Sequence, residues 1–439
     1  MECFKILFKE LNDKGIHYSV LRNWETLPES SGGHDIDIWV RKTDLNEFMN
    51  VLHNVTVKSD GVLVSFILGK DCPRYLYLSK EWGIQYDVHV EVAQYRNAVY
   101  ATGDMIGEHT FSHNGVKVLK PEADSLICFL KEVLNNGICK KKYCEKATDV
   151  VLNSTSEELD LYLNSFSPAV RSLIIDALKS QDYSDVKLRR VRKQCVRDIS
   201  SINTKISYYW QRVIRVLRGI RKTRPGYVIA VMGTDGSGKS TVIDAITPWL
   251  SEAFHHSVSY RHLRPTVIPD LGVFLGKRKS EPGRVVTNPH GHKQSGLLGS
   301  LVKWGYYLID YTFGYLKLVW PQVSFKTRLF IFDRYYYDYY IDQKRMGVLL
   351  SQWLIRIGEI FVPTPDLVIC LGGNPQKIYE RKPETTLEEV SRQVDSLKAF
   401  CLKRKNTVWI DTTTSVSETI SSTKDAILKM MSSHYKNKR

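Results

Sequence analysis

Long apolar runs are what this sequence lacks most. No stretch of 18 apolar residues occurs in its 439 residues, so a transmembrane helix is not expected. The opening Met-Glu-Cys-Phe-Lys carries no secretory apolar core. Cysteine is sparse: there are 8, none in a Cys-x2-Cys pair, and the closest two are Cys139 and Cys144. That spacing favours free thiols in a reducing cytoplasm over disulfides or zinc. The histidines between residues 264 and 296 show no ligand spacing, so no metal is expected there.

What is present is an ordinary globular composition, 43% hydrophobic and 25% charged, on a chain long enough for two or three domains. The net charge is +15. Much of it is local: residues 187–224 hold thirteen Lys or Arg against Asp198 alone.

The most informative stretch is Tyr227-Val-Ile-Ala-Val-Met232 followed by Gly233-Thr-Asp-Gly-Ser-Gly-Lys-Ser-Thr241. An apolar strand runs into Gly-x4-Gly-Lys-Ser, the phosphate-binding loop pattern. Gly233, Gly236 and Gly238 let the backbone turn and approach an anion, with Thr234, Asp235 and Ser237 between them. Lys239 is placed to reach the β- and γ-phosphates of ATP. Ser240 is placed to hold Mg²⁺, Thr241 closes the pattern, and the helix opening at Lys239 adds its positive dipole end. At average composition the pattern arises by chance in about one or two chains of this length per hundred. The flanking strand and the apolar Val242, Ile243 and Ile246 make chance a poor account of it. A switch GTPase would need Asn-Lys-x-Asp and an ABC-type ATPase Leu-Ser-Gly-Gly-Gln; neither occurs.

Strand and helix patterns alternate downstream. The fold class expected is therefore α/β, a parallel sheet with helices on both faces, preceded by a smaller α+β domain and a helical connector. The boundaries expected are 1–120, 121–222 and 223–439. A second strand, Arg328-Leu-Phe-Ile-Phe-Asp333, ends in Asp333-Arg334, at the strand end where such sheets bind ligands. Asp333 suits Mg²⁺ or an acceptor proton, and Arg334 suits phosphate charge. Residues 378–392 are charged and placed for a lid, a single helix is expected over 297–320, and 264–296 is expected to be a loop.

The N-terminal region reads as a helix over 4–14, a strand over 17–21, a helix over 43–53, and strands over 55–58, 61–68, 74–79 and 84–92. In Asp35-Ile-Asp-Ile-Trp-Val40, alternation sets Asp35 and Asp37 on one strand face. Asp87, His89 and Glu91 alternate likewise in a later strand. Paired carboxylates plus a third from a neighbouring strand make a cage for hard divalent cations.

Between them, residues 121–222 read as helical. Ile206, Trp210, Val213, Ile214, Leu217 and Ile220 lie on one face of a basic helix, 205–221, with Arg212, Arg215, Arg218 and Arg221 around it. Its readings are a connector packed on a neighbour, weak contact with a membrane surface, or, least favoured for want of interleaved aromatics or a known module, nucleic acid.

Two resemblances follow from these residues. Gly-Gly-x-Asp-x-Asp at 32–37, with the later Asp87 strand, resembles the minimal nucleotidyltransferase fold over about residues 1–135. That resemblance implies Asp35, Asp37 and Asp87 as metal ligands. The chain carries Leu21-Arg-Asn-Trp24 where that family opens a helix with Gly-Ser. Residues 226–433 resemble the thymidylate kinases and their relatives through the phosphate loop, Phe332-Asp-Arg-Tyr335, Pro365-Asp-Leu-Val-Ile369, Glu380-Arg-Lys382 and Trp409-Ile-Asp411. This second resemblance implies ATP and Mg²⁺ as cofactors. It implies Lys239, Arg334 and Arg381 on the transferred phosphoryl group, with Asp235 and Asp333 facing the acceptor. Leu371-Gly372-Gly373 stands where that family has Leu-Asp, and the acceptor-side region is long. The acceptor is thus open: thymidylate, another small molecule, or a sugar or glycan in a surface-polysaccharide or accessory pathway. A nucleotidyltransferase, alone or alongside the kinase, and a nucleotide-binding regulatory module are the alternative readings. The oligomeric state is not legible.

Overall fold

A computed structural model describes residues 2–67, 72–220, 224–255, 257–275 and 295–436. The chain divides into two compact units, Met1–Ser79 with Ile84–Arg218 and Lys80–Gly83 with Gly219–Arg439.

The first unit begins with the helix Glu2–Asp13, whose Phe4, Leu7, Phe8 and Leu11 recur at three- and four-residue spacing and are all buried. Strands β1 (Tyr18–Val20), β2 (Ile36–Val40), β3 (Val62–Ile67), β4 (Arg74–Leu78) and β5 (Gly83–Val90) follow. A small hairpin, β6 (Ala93–Tyr95) and β7 (Ala98–Ala101), precedes β8 (Thr110–His113) and β9 (Val116–Leu119). One mixed sheet forms in the order β3-β4-β5-β2-β1-β9-β8. Within it β2 pairs parallel to β5 in a register that sets Asp37 beside Asp87.

Residues 55–58 are not the strand that their β-branched content predicts; they close the helix Leu45–Lys58. Phe48, Val51, Leu52 and Val55 make one continuous buried stripe there. Burying that stripe outweighs a helix-propensity penalty of only about 0.5 kcal/mol per β-branched residue.

Residues 121–220 fold as six helices, as their pattern predicts: Pro121–Asn136, Lys141–Asn153, Ser156–Tyr162, Pro168–Lys179, Asp185–Ile199 and Ile202–Ile220. Pro121 opens the first, and a reciprocal Thr155–Glu158 capping box opens the third. Leu126, Leu130, Ala147, Ile174, Leu178 and Leu188 join one core with Tyr95 and Tyr100 of the hairpin. Among the described residues, Ile202–Ile220 gives no side chain to that core.

The second unit is a five-stranded sheet of β10 (Tyr227–Gly233), β11 (Val258–His262), β12 (Leu329–Asp333), β13 (Leu367–Gly372) and β14 (Thr407–Asp411). Its order is β11-β12-β10-β13-β14 and every pairing is parallel. Every residue of β10 is buried, which explains its unbroken apolar run. Because later strands flank β10 on both sides, strand order switches there, and the crevice outside its carboxyl end is where such sheets bind ligands.

The expected helix over 297–320 is helical but not uniform. It is an α-helix at Leu297–Ile309 and then a π-helix at Asp310–Val319. Asp310, at the change, is fully buried. Its carboxylate accepts from Arg264 at 2.6 Å and from the backbone N–H groups of Thr266 and Val267, both at 2.9 Å. That buried anchor pins the start of the 264–296 segment, of which residues 276–294 lie outside the described residues.

Candidate active site

The phosphate loop spans the exit of β10 and the start of the helix Lys239–Phe254. A Cβ at Gly233 would lie 2.4 Å from Ser237 Oγ and 2.8 Å from Leu371 O, so no side chain fits where the loop leaves the sheet. Gly236 has a φ of +81° and a Cβ there would sit 2.7 Å from Ile378 O. These two glycines are required by close approach and by left-handed backbone respectively.

Lys239 is buried and bends back over the loop, donating to Gly233 O at 3.0 Å and Thr234 O at 2.7 Å. Burial, then the charge of Arg334, pushes its ammonium down to about 7, against the pull of Asp235 and Asp333. Asp235 accepts from Arg334 Nη2 at 2.7 Å and from Arg345 Nη1, and its carboxylate lies 3.8 Å from Lys239 Nζ. Burial pushes its carboxyl up, but Arg334, Lys239 and Arg345 together hold it at about 2. Arg334 also donates to Asp338 at 3.0 Å.

Asp333 ends β12 beside this group. Its Oδ2 accepts from the Tyr260 hydroxyl at 3.0 Å, whereas its Oδ1 is buried with no hydrogen-bond partner among the described residues. Thr234 Oγ1 and Ser237 Oγ in the loop are orphaned in the same way. Buried polar atoms without partners cost about 1–3 kcal/mol each, so such a cluster marks a place that a polar ligand completes. The set also suits Mg²⁺: an unpartnered carboxylate oxygen on Asp333, and an exposed hydroxyl residue, Ser240, on the first turn of the helix.

Lys239, Asp235, Asp333 and Arg334 are thus brought together. Arg381 is not: it is exposed at the end of the helix Pro375–Arg381, and among the described residues it makes no hydrogen bond or ion pair with the loop. The next residue, Lys382, lies against Gly236 and adds positive charge at Asp235. Sequence reasoning missed Arg345, Asp338 and Tyr260. Arg334 and Asp338 are four residues apart, but Arg334 is not helical, its φ being +69°, so helical spacing does not predict their pairing. Arg345 was not readable either, because it enters from the short helix Gln343–Met346 and meets the loop only in three dimensions.

The acids of the first unit also converge. One carboxylate oxygen from each of Asp35, Asp37 and Asp87 lies within 4.8 Å of the others. Hard oxygens in that number suit a divalent cation, yet each acid already meets a cation of the chain. Arg22 Nε pairs with Asp37 and Arg22 Nη2 lies 3.3 Å from Asp35. Lys131 Nζ pairs with Asp37 at 2.5 Å, and Arg74 Nε with Asp87 at 3.2 Å. His89 Nε2 lies 3.2 Å from the same Asp37. Burial raises the Asp37 carboxyl, but Lys131 and Arg22 more than reverse this and hold it well below the usual carboxylate range. Glu91 is not part of the group; it accepts from the Lys42 N–H at 2.8 Å. Three carboxylates against two guanidinium groups and one ammonium leave little net charge to draw a metal. Arg22 belongs to the Leu21–Trp24 stretch that stands where the nucleotidyltransferases have Gly-Ser.

A parallel sheet with a phosphate loop at its switch point, a buried lysine and an Asp-Arg pair at the adjacent strand end describes a P-loop domain of the kinase-like class. Comparison with known proteins agrees for part of the chain. Over 171 residues, 39% of this chain and 77% of the other, it is 27% identical to a protein of Pyrococcus horikoshii named a probable thymidylate kinase. No protein-family model matches the chain. The likeness is distant and supports a nucleotide-kinase-like phosphotransferase.

Proposed function

We propose that the protein transfers the γ-phosphoryl group of ATP, with Mg²⁺, to a small acceptor in the manner of the nucleoside monophosphate kinases. The observation that carries this reading is the meeting of Lys239, Asp235 and Arg334 beside the orphaned oxygens of Thr234, Ser237 and Asp333.

In this reading the loop N–H groups and the helix N-terminus receive the β-phosphate. Lys239 exchanges its contacts with Gly233 O and Thr234 O for phosphate oxygens, and regains full charge as it does so. Arg334, held in a fork between Asp235 and Asp338, is pre-set to stabilise charge on the transferred group. Asp333 would accept the acceptor proton or, with Ser240, would hold Mg²⁺. Bound there, the ion would supply positive charge against the transferred phosphoryl group. Arg345 beside Asp235 gives the acceptor side a cation suited to a phosphate-bearing acceptor such as a nucleoside monophosphate. The acid cluster of the first unit has no part in this transfer.

The test is incubation of the full chain with labelled ATP and Mg²⁺ and a panel of nucleoside monophosphates, sugars and sugar phosphates. Label moving to one acceptor class, and not in Lys239→Ala, supports phosphotransfer and names the acceptor. Tight ATP binding with no transfer to any acceptor and no hydrolysis would instead favour a regulatory nucleotide-binding module.

A further inference from the structure

The helix Ile202–Ile220 presents an apolar stripe to solvent. Ile206, Tyr209, Trp210, Val213, Ile214 and Leu217 are exposed by 52%, 60%, 64%, 46%, 43% and 55%. At 100° per residue they fall within an arc of roughly 140°. The helix is held to its unit at the stripe's edge, where Ser207 Oγ accepts from Asn97 Nδ2 at 3.0 Å, and behind it, where the Arg96 guanidinium lies 5.6 Å from the Tyr208 ring centre. The apolar stripe itself faces out, the reverse of a helix packed on a core. A contiguous exposed apolar patch of this kind marks an interaction surface.

We propose that this helix docks the protein on an anionic membrane surface, lying flat in the headgroup layer. Three observations favour that occupant. The helix itself carries Lys205, Arg212, Arg215 and Arg218 and no acid, a charge complementary to anionic lipid headgroups. Lys205 and Arg212, both exposed, flank the stripe on the side away from Trp210, as the basic rim of an interfacial helix does. Tyr209 and Trp210 are amphipathic aromatics of the type that settles at the headgroup level. Two copies of so basic a helix would repel each other, and nucleic acid would meet the cations and have no use for the aliphatic stripe. No helix among the described residues is long and apolar enough to cross a bilayer, so the contact is peripheral. The inference is independent of the phosphotransfer reading.

Co-sedimentation of the full chain with vesicles of phosphatidylglycerol and phosphatidylcholine, mixed about 1:2, tests it. Binding should be about tenfold or more stronger than to pure phosphatidylcholine and should fall in about 0.5 M NaCl. Trp210→Ser with Val213→Ser should cut it about tenfold through lost apolar burial. Lys205→Glu with Arg212→Glu should bring it down to the phosphatidylcholine level. Unchanged far-UV circular dichroism certifies the variants; if the serine pair unfolds, the fully surface charge pair decides. Absence of sedimentation with the anionic vesicles overturns the proposal, as does equal binding to both vesicle types. A concentration-dependent dimer abolished by the serine pair, without vesicle binding, overturns it in favour of an interface between copies of the chain.

Discussion

Arg334 Nη2 donates to Asp235 Oδ1 at 2.7 Å, tying the residue after β12 to the middle of the phosphate loop. Arg334 makes this contact from a φ of +69°, the left-handed region that costs a side chain on the order of 1–2 kcal/mol. Its own N–H donates to Val231 O at 2.9 Å and its Nη1 to Asp338 at 3.0 Å, so the surrounding structure holds the strained residue in place. In the proposed phosphoryl transfer, strain held this way would pre-organise a buried guanidinium for the charge that develops.

Arg334→Lys keeps the charge and loses the fork. Turnover should fall about 100-fold or more while ATP affinity changes only a few-fold, because the group acts chiefly in the transition state. Steady-state kinetics beside equilibrium ATP titration separates the two. Arg334→Ala also leaves the buried Asp338 unpaired and should cost about 3–5 kcal/mol of stability, so its activity is to be expressed per folded molecule. Full activity per folded molecule in both variants would make the pair a structural salt bridge.

Lys239→Ala should lose about 100-fold or more in turnover yet melt no lower than wild type at pH 7. The sign follows from the lysine being pushed down to about 7 from its ordinary 10.5. Between those values the unfolded chain binds the proton and the folded, ligand-free protein does not. Stability from this group is therefore least below about pH 7 and rises as the pH climbs through the window. Melting curves from pH 6 to 9 should show that rise in wild type and not in the variant. Nucleotide binding above pH 7 should take up a proton, read by calorimetry in buffers of different ionisation enthalpy.

Asp333→Asn should lose most Mg²⁺-dependent turnover, on the order of 100-fold, with an unchanged or raised melting temperature. Among the described residues its Oδ1 has no hydrogen-bond partner and its Oδ2 accepts a hydrogen bond from the Tyr260 hydroxyl. A large drop in melting temperature with activity retained would assign the carboxylate to folding.

Arg22→Gln removes the guanidinium that covers Asp35 and Asp37. If that cation keeps metal out, Mn²⁺ affinity measured by paramagnetic resonance should rise about tenfold or more, and Asp37→Asn in the same background should abolish the gain. Asp37→Asn alone should destabilise by about 3–5 kcal/mol, since Lys131 and Arg22 lose their shared partner. Equal, tight Mn²⁺ binding by wild type and Arg22→Gln would show that the acids take metal despite their counter-ions.

By itself the sequence determined the phosphate loop, its lysine, the Asp333-Arg334 strand end and the alternating acids, because each depends on neighbours in the chain. Strand alternation alone sets Asp35 and Asp37 on one side, and a glycine-rich turn between an apolar strand and an apolar helix start is readable without a fold. Only the tertiary structure decided which charges meet. Arg345 reaches Asp235 from a distant short helix, Lys382 and not Arg381 faces the loop, and Arg22, Arg74 and Lys131 close on the three acids from three separate segments. Long basic side chains occur throughout so basic a chain, and nothing in their local spacing tells which will be buried against a carboxylate. The same holds for Val55-Thr-Val-Lys58, where local propensity favoured a strand and the packing of a buried stripe chose a helix. Local rules fix what a segment can form; desolvation and charge pairing, which act between segments, fix what it does form.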